Sequence, residues 1–238
     1  LYYQPKVHLA TNQFVGAEAL IRWRKDGTLI YPNEFISVAE ESGLIVEIGR
    51  WALETACAEC AKWQKDGLKG LSVAVNLSPL QFKRGNLPNH VFRALQKADL
   101  DPNLLELEIT ESLFIDDTKH IEEQIFLMVE RGVYFAIDDF GTGYSNLNYL
   151  SKFNASTLKI DMSFVRDMMG DMRLQHIVNA IIKMSHAMDL ENVAEGIEDE
   201  QTAEILKTQG CVYGQGYYWS KPIPAAEFIK LAHAQIQS

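Results

Sequence analysis

The feature that most constrains this chain is a repeated pattern. Short β-branched, apolar runs ending in an acid or an amide alternate with stretches of helical periodicity. Leu71 to Asn76 is such a run and closes on an amide, and Leu104 to Thr110 carries Glu106 and Glu108, with Glu111 just beyond. Tyr134 to Asp138 ends in Asp138-Asp139, Leu158-Lys-Ile leads to Asp161, and Val193-Ala leads to Glu195. Strands alternating with helices predict a parallel α/β architecture. The expected strands are Tyr2 to His8, Phe14 to Trp23, Ser72 to Asn76, Leu104 to Thr110, Tyr134 to Asp138, Thr157 to Asp161, Asn192 to Glu195 and a short piece near Tyr213. The expected helices are Pro32 to Glu41, Val46 to Asp66, Asn89 to Ala98, Lys119 to Arg131, Leu174 to Met188, Gln201 to Thr208 and Ala225 to His233.

The segment 119–131 shows the helical signal at its clearest. Ile121, Ile125, Met128 and Val129 share one face, Glu122, Glu123 and Glu130 turn away, and Gly132 stops the run. The first two strands are joined by four residues only, Ala10 to Gln13. A parallel pairing needs a crossover of about a dozen residues, so these two pair antiparallel. The expected fold is therefore α/β: a modified TIM (β/α)8 barrel with one antiparallel strand, in a single domain over residues 1–238. The chain opens directly in strand without an initiator Met, and reads as a domain of a longer protein.

In a parallel barrel the C-terminal strand ends converge on one mouth, where active sites are built. That brings Asn76, Glu108, Asp138, Asp139, Asp161 and Glu195 toward a common centre. Crowded carboxylates stay ionised only when cations neutralise them, and hard oxygen ligands suit Mg²⁺ or Mn²⁺. Taken singly, a strand-terminal Asp is often an Asx turn or a helix N-cap. Glu18 is harder to dismiss, since it sits among Ala17, Ala19 and Leu20 and an isolated buried Glu is costly. Lys159, between Leu158 and Ile160, points inward with the acids, as a structural ion pair or as a cation holding water or a phosphate oxygen.

Other chemistries lack their residues. No apolar run reaches the roughly 18 to 20 residues of a membrane span. No Gly-x-Ser-x-Gly elbow, His-Glu-x-x-His pair or phosphate-cradling Lys-Ser/Thr loop occurs, and none of the six histidines falls with the acids. With 22 Lys plus Arg against 32 Asp plus Glu, the net charge of −10 argues against a nucleic-acid polymer as partner. Cys57, Cys60 and Cys211 form no disulfide framework and read as packing residues, which fits a reducing cytoplasm. A glycosidase would use one acid pair and leaves Asn76 and Lys159 unexplained.

Eight motifs in order carry a resemblance over essentially the whole chain: Tyr3-Gln4-Pro5, Glu18-Ala19-Leu20-Ile21-Arg22-Trp23, Asn76-Leu77-Ser78, Glu108-Ile109-Thr110-Glu111, Asp138-Asp139-Phe140-Gly141-Thr142-Gly143, Leu158-Lys159-Ile160-Asp161, Ala194-Glu195-Gly196-Ile197-Glu198 and Gln215-Gly216-Tyr217. The sequence resembles the EAL-domain family of cyclic di-GMP phosphodiesterases. That resemblance implies a barrel with one antiparallel strand and hydrolysis of cyclic di-GMP to linear pGpG with two divalent cations, Mg²⁺ or Mn²⁺, Ca²⁺ being inhibitory. It implies that Glu18, Asn76, Glu108 and Asp138 hold one ion and that Asp138, Asp139 and Glu195 serve the second. Lys159 would position the water, and Glu195 would be a metal ligand, a general base or both. Gln4, Leu20, Arg22, Asp161 and Gln215 would line the substrate, Gln215 also supporting the site, and Glu111 would anchor the loop that starts at Asp138. The family also implies a homodimer; an upstream sensor or cyclase domain is left open by the sequence, and with no long apolar run no membrane contact by this domain is expected. A catalytically silent or slow cyclic di-GMP receptor is the competing reading; such modules usually lose residues that are present here. Three positions depart from the family pattern: Asn146 and Asp199 stand where a serine and a threonine are common, and Arg24 to Gly27 is shorter than the usual turn.

Overall fold

A computed structural model describes residues 1–110, 113, 118–142 and 154–236. Eight strands close a barrel in the order β10-β9-β8-β7-β6-β5-β2-β1, with β1 returning to β10. They are β1 (Tyr2–His8), β2 (Gln13–Leu20), β5 (Ser72–Asn76), β6 (Leu105–Thr110), β7 (Tyr134–Phe140), β8 (Thr157–Ile160), β9 (Glu191–Ala194) and β10 (Tyr213–Gly214). β1 runs antiparallel to both barrel neighbours, β2 and β10, as its short connection to β2 requires. All other barrel pairings are parallel. A further strand, β11 (Ile223–Pro224), lies outside the barrel against β1.

The helices cover the outer wall. They are α1 (Pro32–Ser42), α2 (Ile45–Lys65), α3 (Pro79–Arg84), α4 (Leu87–Ala98), α5 (Thr118–Val129), α6 (Met162–Arg166), α7 (Met172–Ala187), α8 (Glu200–Thr208) and α9 (Ala225–Ile236). The apolar stripe of α5 is buried through Ile121, Ile125 and Met128, as its periodicity predicts. The core is the layer between wall and helices. On one side Trp63 of α2 meets Tyr3 edge-on at 5.3 Å and Phe228 of α9 at 4.8 Å. On the other, Ile137, Leu158 and Ile160 pack with Val178 and Ile182 of α7. Cys57, Cys60 and Cys211 are buried free thiols, and burial pushes each up to about 12, which fits packing rather than reactivity.

The strand expected from Phe14 to Trp23 is two elements. β2 ends at Leu20, the chain leaves the wall at Ile21-Arg22, and Trp23 opens a separate hairpin, β3 (Trp23–Lys25) with β4 (Thr28–Ile30). Trp23, Arg24 and Lys25 are all exposed and have no apolar face to give to a barrel wall. The short helices α3 and α6 were not expected from periodicity, since neither is long enough to show one. Their signals are at the caps: Ser78-Pro79 with Gln81 reaching back to the Ser78 N–H, and Asp161 capping Ser163 N at 3.0 Å. Asp199, the departure from the family threonine, caps α8 by accepting from Thr202 N at 2.8 Å and from its hydroxyl at 3.0 Å.

Candidate active site

Side chains alternate across a strand, so residues two apart share the barrel interior. Gln4 and Lys6 of β1, Glu106 and Glu108 of β6, and Thr157 and Lys159 of β8 are all buried there. The interior has two polar layers. Deeper down, Lys6 pairs with Glu106, which also accepts from the Thr157 hydroxyl at 2.7 Å. Glu106 thus belongs to this floor and not to the mouth. The sequence carries that signal in the i, i+2 spacing of Glu106 and Glu108, but the pairing with Lys6 requires the β1–β6 approach across the barrel.

In the upper layer, Lys159 is the hub. Its Nζ lies 2.7 Å from Glu108, 2.9 Å from Glu195, 3.0 Å from Asp138 and 3.6 Å from Glu18. Glu18 is held from both sides: Asn76 donates to Oε1 at 2.6 Å and Gln215 donates to Oε2 at 2.6 Å. Gln215 also donates to Gln4 Oε1 at 3.1 Å, and Gln4 donates to the Ser220 carbonyl at 3.1 Å. Gln4 pairs with Glu18 and Asn76 with Glu108, while Glu18 itself is opposite Ala74, so its bond to Asn76 runs diagonally to the next inward position along β5.

Two successive aspartates reach one place because β7 is irregular. The β7–β8 register shifts between Ile137 and Phe140, and Asp139 sits at φ 54°, a left-handed conformation that Asp tolerates. Gly141 follows at φ 96°. The Asp138 carboxylate accepts from the Asp139 N–H at 3.0 Å. Carboxylate oxygens of Asp138, Asp139 and Glu195 lie within 4.8 Å of one another. Three hard donors this close, with one buried ammonium between four acids, fit a divalent cation.

The charges follow from this crowding. Burial alone would lower the Lys159 pKa, but Asp138, Glu108, Glu18 and Glu195 hold it well above the ordinary lysine range. Burial would also raise Glu18, yet Lys159 and the Gln215 and Asn76 hydrogen bonds keep it below the usual carboxylate value. Glu108 goes the other way, well above, because burial and the Glu18 charge outweigh a lysine it shares with three other acids. Burial lifts Glu195 up to about 8 against the pull of Lys159, with Asp138 and Glu18 adding to it. Asp139 rises to about 6 through burial and the charges of Asp138 and Asp161. One cation does not satisfy the set.

Above the hub opens a cleft of about 280 Å³, lined among others by Gln4, Leu20, Arg22, Met162, Gln215 and Tyr217. Asp161 is the N-cap of α6 and stands beside Asp139, whose carboxyl its charge helps to raise. Glu111 and residues 143–153 lie outside the described residues. Sequence reasoning missed Arg166, which pairs with Glu198 at 3.1 Å on the cleft wall.

The EAL domain family model matches residues 1–222. The chain is 42% identical over 229 residues to the signaling protein YkoW of Bacillus subtilis, covering 96% of this chain and 28% of that protein. It is 42% identical over 233 residues to the bifunctional diguanylate cyclase/cyclic di-GMP phosphodiesterase MucR of Pseudomonas aeruginosa, covering 96% and 34%. The chain thus spans about a third of the length of these curated relatives. Among solved structures, the MucR phosphodiesterase in complex with cyclic di-GMP superposes with a TM-score of 0.91 at 41% identity, covering 96% of this chain and 93% of that one.

Proposed function

This chain belongs to the EAL domain family, and from that premise we propose that it is a metal-dependent phosphodiesterase that opens one phosphodiester of cyclic di-GMP to give linear pGpG. The observation that carries the reading is the acid cluster around Lys159 at the barrel mouth. Glu18, Asn76, Glu108 and Asp138 are proposed to hold one cation, and Asp138, Asp139 and Glu195 the other, each Mg²⁺ or Mn²⁺. Bound there, such cations would neutralise the acids, polarise the phosphodiester and lower the pKa of a water.

The chain's own residues do the rest. Asn76 and Gln215 fix both oxygens of Glu18, so that carboxylate is oriented before any ligand arrives. Lys159 keeps its proton and acts as a positive charge, positioning the attacking water or a phosphate oxygen rather than accepting a proton. Glu195, lifted to about 8, exchanges its proton near neutral pH and fits a general base as well as a ligand. Gln4, Leu20, Arg22 and Asp161 are proposed to line the substrate, with Arg22 offering its N–H edge to a phosphodiester oxygen.

The deciding experiment incubates the purified chain with cyclic di-GMP and Mg²⁺ or Mn²⁺, with a chelator control and with Ca²⁺. Metal-dependent pGpG supports the reading, with Ca²⁺ expected to inhibit through its looser coordination. Binding without cleavage in Mg²⁺ or Mn²⁺ would move the chain to the receptor class.

The carboxylate charges give a pH prediction. Unfolded Asp and Glu titrate near about 4, whereas folded Asp139 and Glu195 hold protons up to about 6 and about 8. Between these values the folded chain binds more protons than the unfolded one. These groups therefore cost the metal-free protein stability as pH rises from about 5 to 8. A divalent cation must displace those protons, so the rise in unfolding midpoint caused by Mn²⁺ should be larger at pH 8 than at pH 6. Equal shifts at the two pH values would contradict the proposed ligand set.

A homodimer is the proposed state in solution. Phe126 and Leu127, adjacent on α5 and each about half exposed, are apolar side chains that such a contact would cover. Sedimentation of the chain as a fully active monomer would remove this part of the reading.

A further inference from the structure

Arg22 stands where the wall ends, and it lines both the acidic cleft and a neighbouring apolar groove of about 440 Å³ walled by Trp23, Phe35 and Trp51. Its guanidinium lies 5.2 Å from the centroid of the Tyr31 ring and 5.7 Å from that of Tyr2. Among the described residues it makes one hydrogen bond, to the Ile21 carbonyl at 2.8 Å, and no carboxylate pairs with it. A half-buried cation without an acid partner, held between aromatic rings, keeps N–H donors available for an anion.

The placement of Tyr31 follows from the turn. Asp26 at φ 48° and Gly27 at φ 80° form the two-residue type I′ connection that Asp-Gly favours. This fixes the hairpin register with Trp23 opposite Ile30. The next residues outward, Arg22 and Tyr31, are thereby left facing each other. Two contacts lock the arrangement: Trp23 packs edge-on against Phe35 of α1 at 5.9 Å, and the Tyr31 N–H donates to Glu34 at 3.2 Å. On the far side, the Tyr2 hydroxyl accepts from Arg24 at 3.2 Å.

We infer that Tyr31 is a positioning residue for substrate: the tight β3–β4 hairpin sets its ring against Arg22 and holds the guanidinium ready for a phosphodiester oxygen in the cleft. This rests on the function proposed above. Tyr31 acts through Arg22 and touches no reacting atom.

The test is a double-mutant cycle read as KM and kcat for cyclic di-GMP. Tyr31→Ser removes the ring but keeps a residue favoured at a helix start. It should raise KM about three- to tenfold, the cost of re-ordering one long side chain on binding, with kcat within about twofold. Tyr31→Phe should restore most of the loss. In an Arg22→Ala background the same Tyr31→Ser change should add less than about twofold. Inserting one glycine after Gly27 leaves every side chain in place chemically but breaks the register, and should mimic Tyr31→Ser. A parent-like KM for Tyr31→Ser, or an undiminished penalty in the Arg22→Ala background, overturns the role of Tyr31 while wild-type turnover leaves the function standing. A wild-type chain that neither cleaves nor binds cyclic di-GMP overturns the function and this inference together.

Discussion

Glu18→Ala is expected to lower kcat for cyclic di-GMP by about 10²- to 10³-fold in Mg²⁺ or Mn²⁺, the scale on which removing one preorganised charge at a reacting centre is felt. The fold should survive. Glu18 is one of four carboxylates around a single ammonium, so deleting it removes a charge that Lys159, Gln215 and Asn76 stabilise but also lifts that charge from Glu108, which offsets part of the loss. The donors it leaves behind are provided for: Gln215 retains its bond to Gln4, and Asn76 faces the open mouth, where water can replace the carboxylate. The unfolding midpoint without metal should therefore move by a few degrees at most, while the Mn²⁺-induced rise in midpoint shrinks. Asp138→Asn should lose turnover alike, since it keeps the shape of the side chain and removes one charge from the cluster. Folded variants turning over at the parental rate would sever the acid cluster from the reaction.

Much of this was legible because barrel strands write their orientation into the sequence. Glu108, Lys159 and Glu195 were readable as inward and mouth-facing from alternation and strand ends alone, and the hairpin β1–β2 from the length of its connection. Pairing partners were not legible. Glu106 and Glu108 are chemically identical and two residues apart, yet one closes the floor with Lys6 and the other holds Lys159. Only the register across the barrel separates them. Asp139 is a second case. Plain alternation would turn it away from Asp138, and the shift in β7 that brings it back depends on a left-handed backbone that no periodicity announces. Asp161 is a third case: the same strand-end carboxylate caps α6 through Ser163 N and stands beside Asp139, and the sequence pattern alone does not separate the two roles. The β3–β4 hairpin escaped because its strands are three residues each and have no fully buried residue, leaving Asp26-Gly27 as its main sign.

The second large effect is expected at Lys159, where catalysis and stability meet. Lys159→Met keeps much of the volume and removes the one cation that, among the described residues, pairs with this buried set of acids. Breaking such a pair from one side typically costs about 3–5 kcal/mol, because charge is left uncompensated. Here the cost should depend on pH. Near pH 8 each surrounding carboxylate must either ionise without a partner or take up a proton against the pH, and the penalty should be larger than in mild acid. Without the ammonium, Glu108 and Glu195, already raised by burial, hold their protons to still higher pH. Toward pH 5 the folded variant therefore carries mostly neutral acids, and its deficit against the parent should shrink. Mn²⁺ should recover stability at pH 8 by supplying the missing positive charge, but turnover should stay down about 10²-fold or more, since an N–H donor fixed at that point is not replaced. Recovery of stability without turnover would assign Lys159 to substrate or water positioning. Recovery of both would make it a placeholder for cation charge, and the reaction would then be carried by the acids alone.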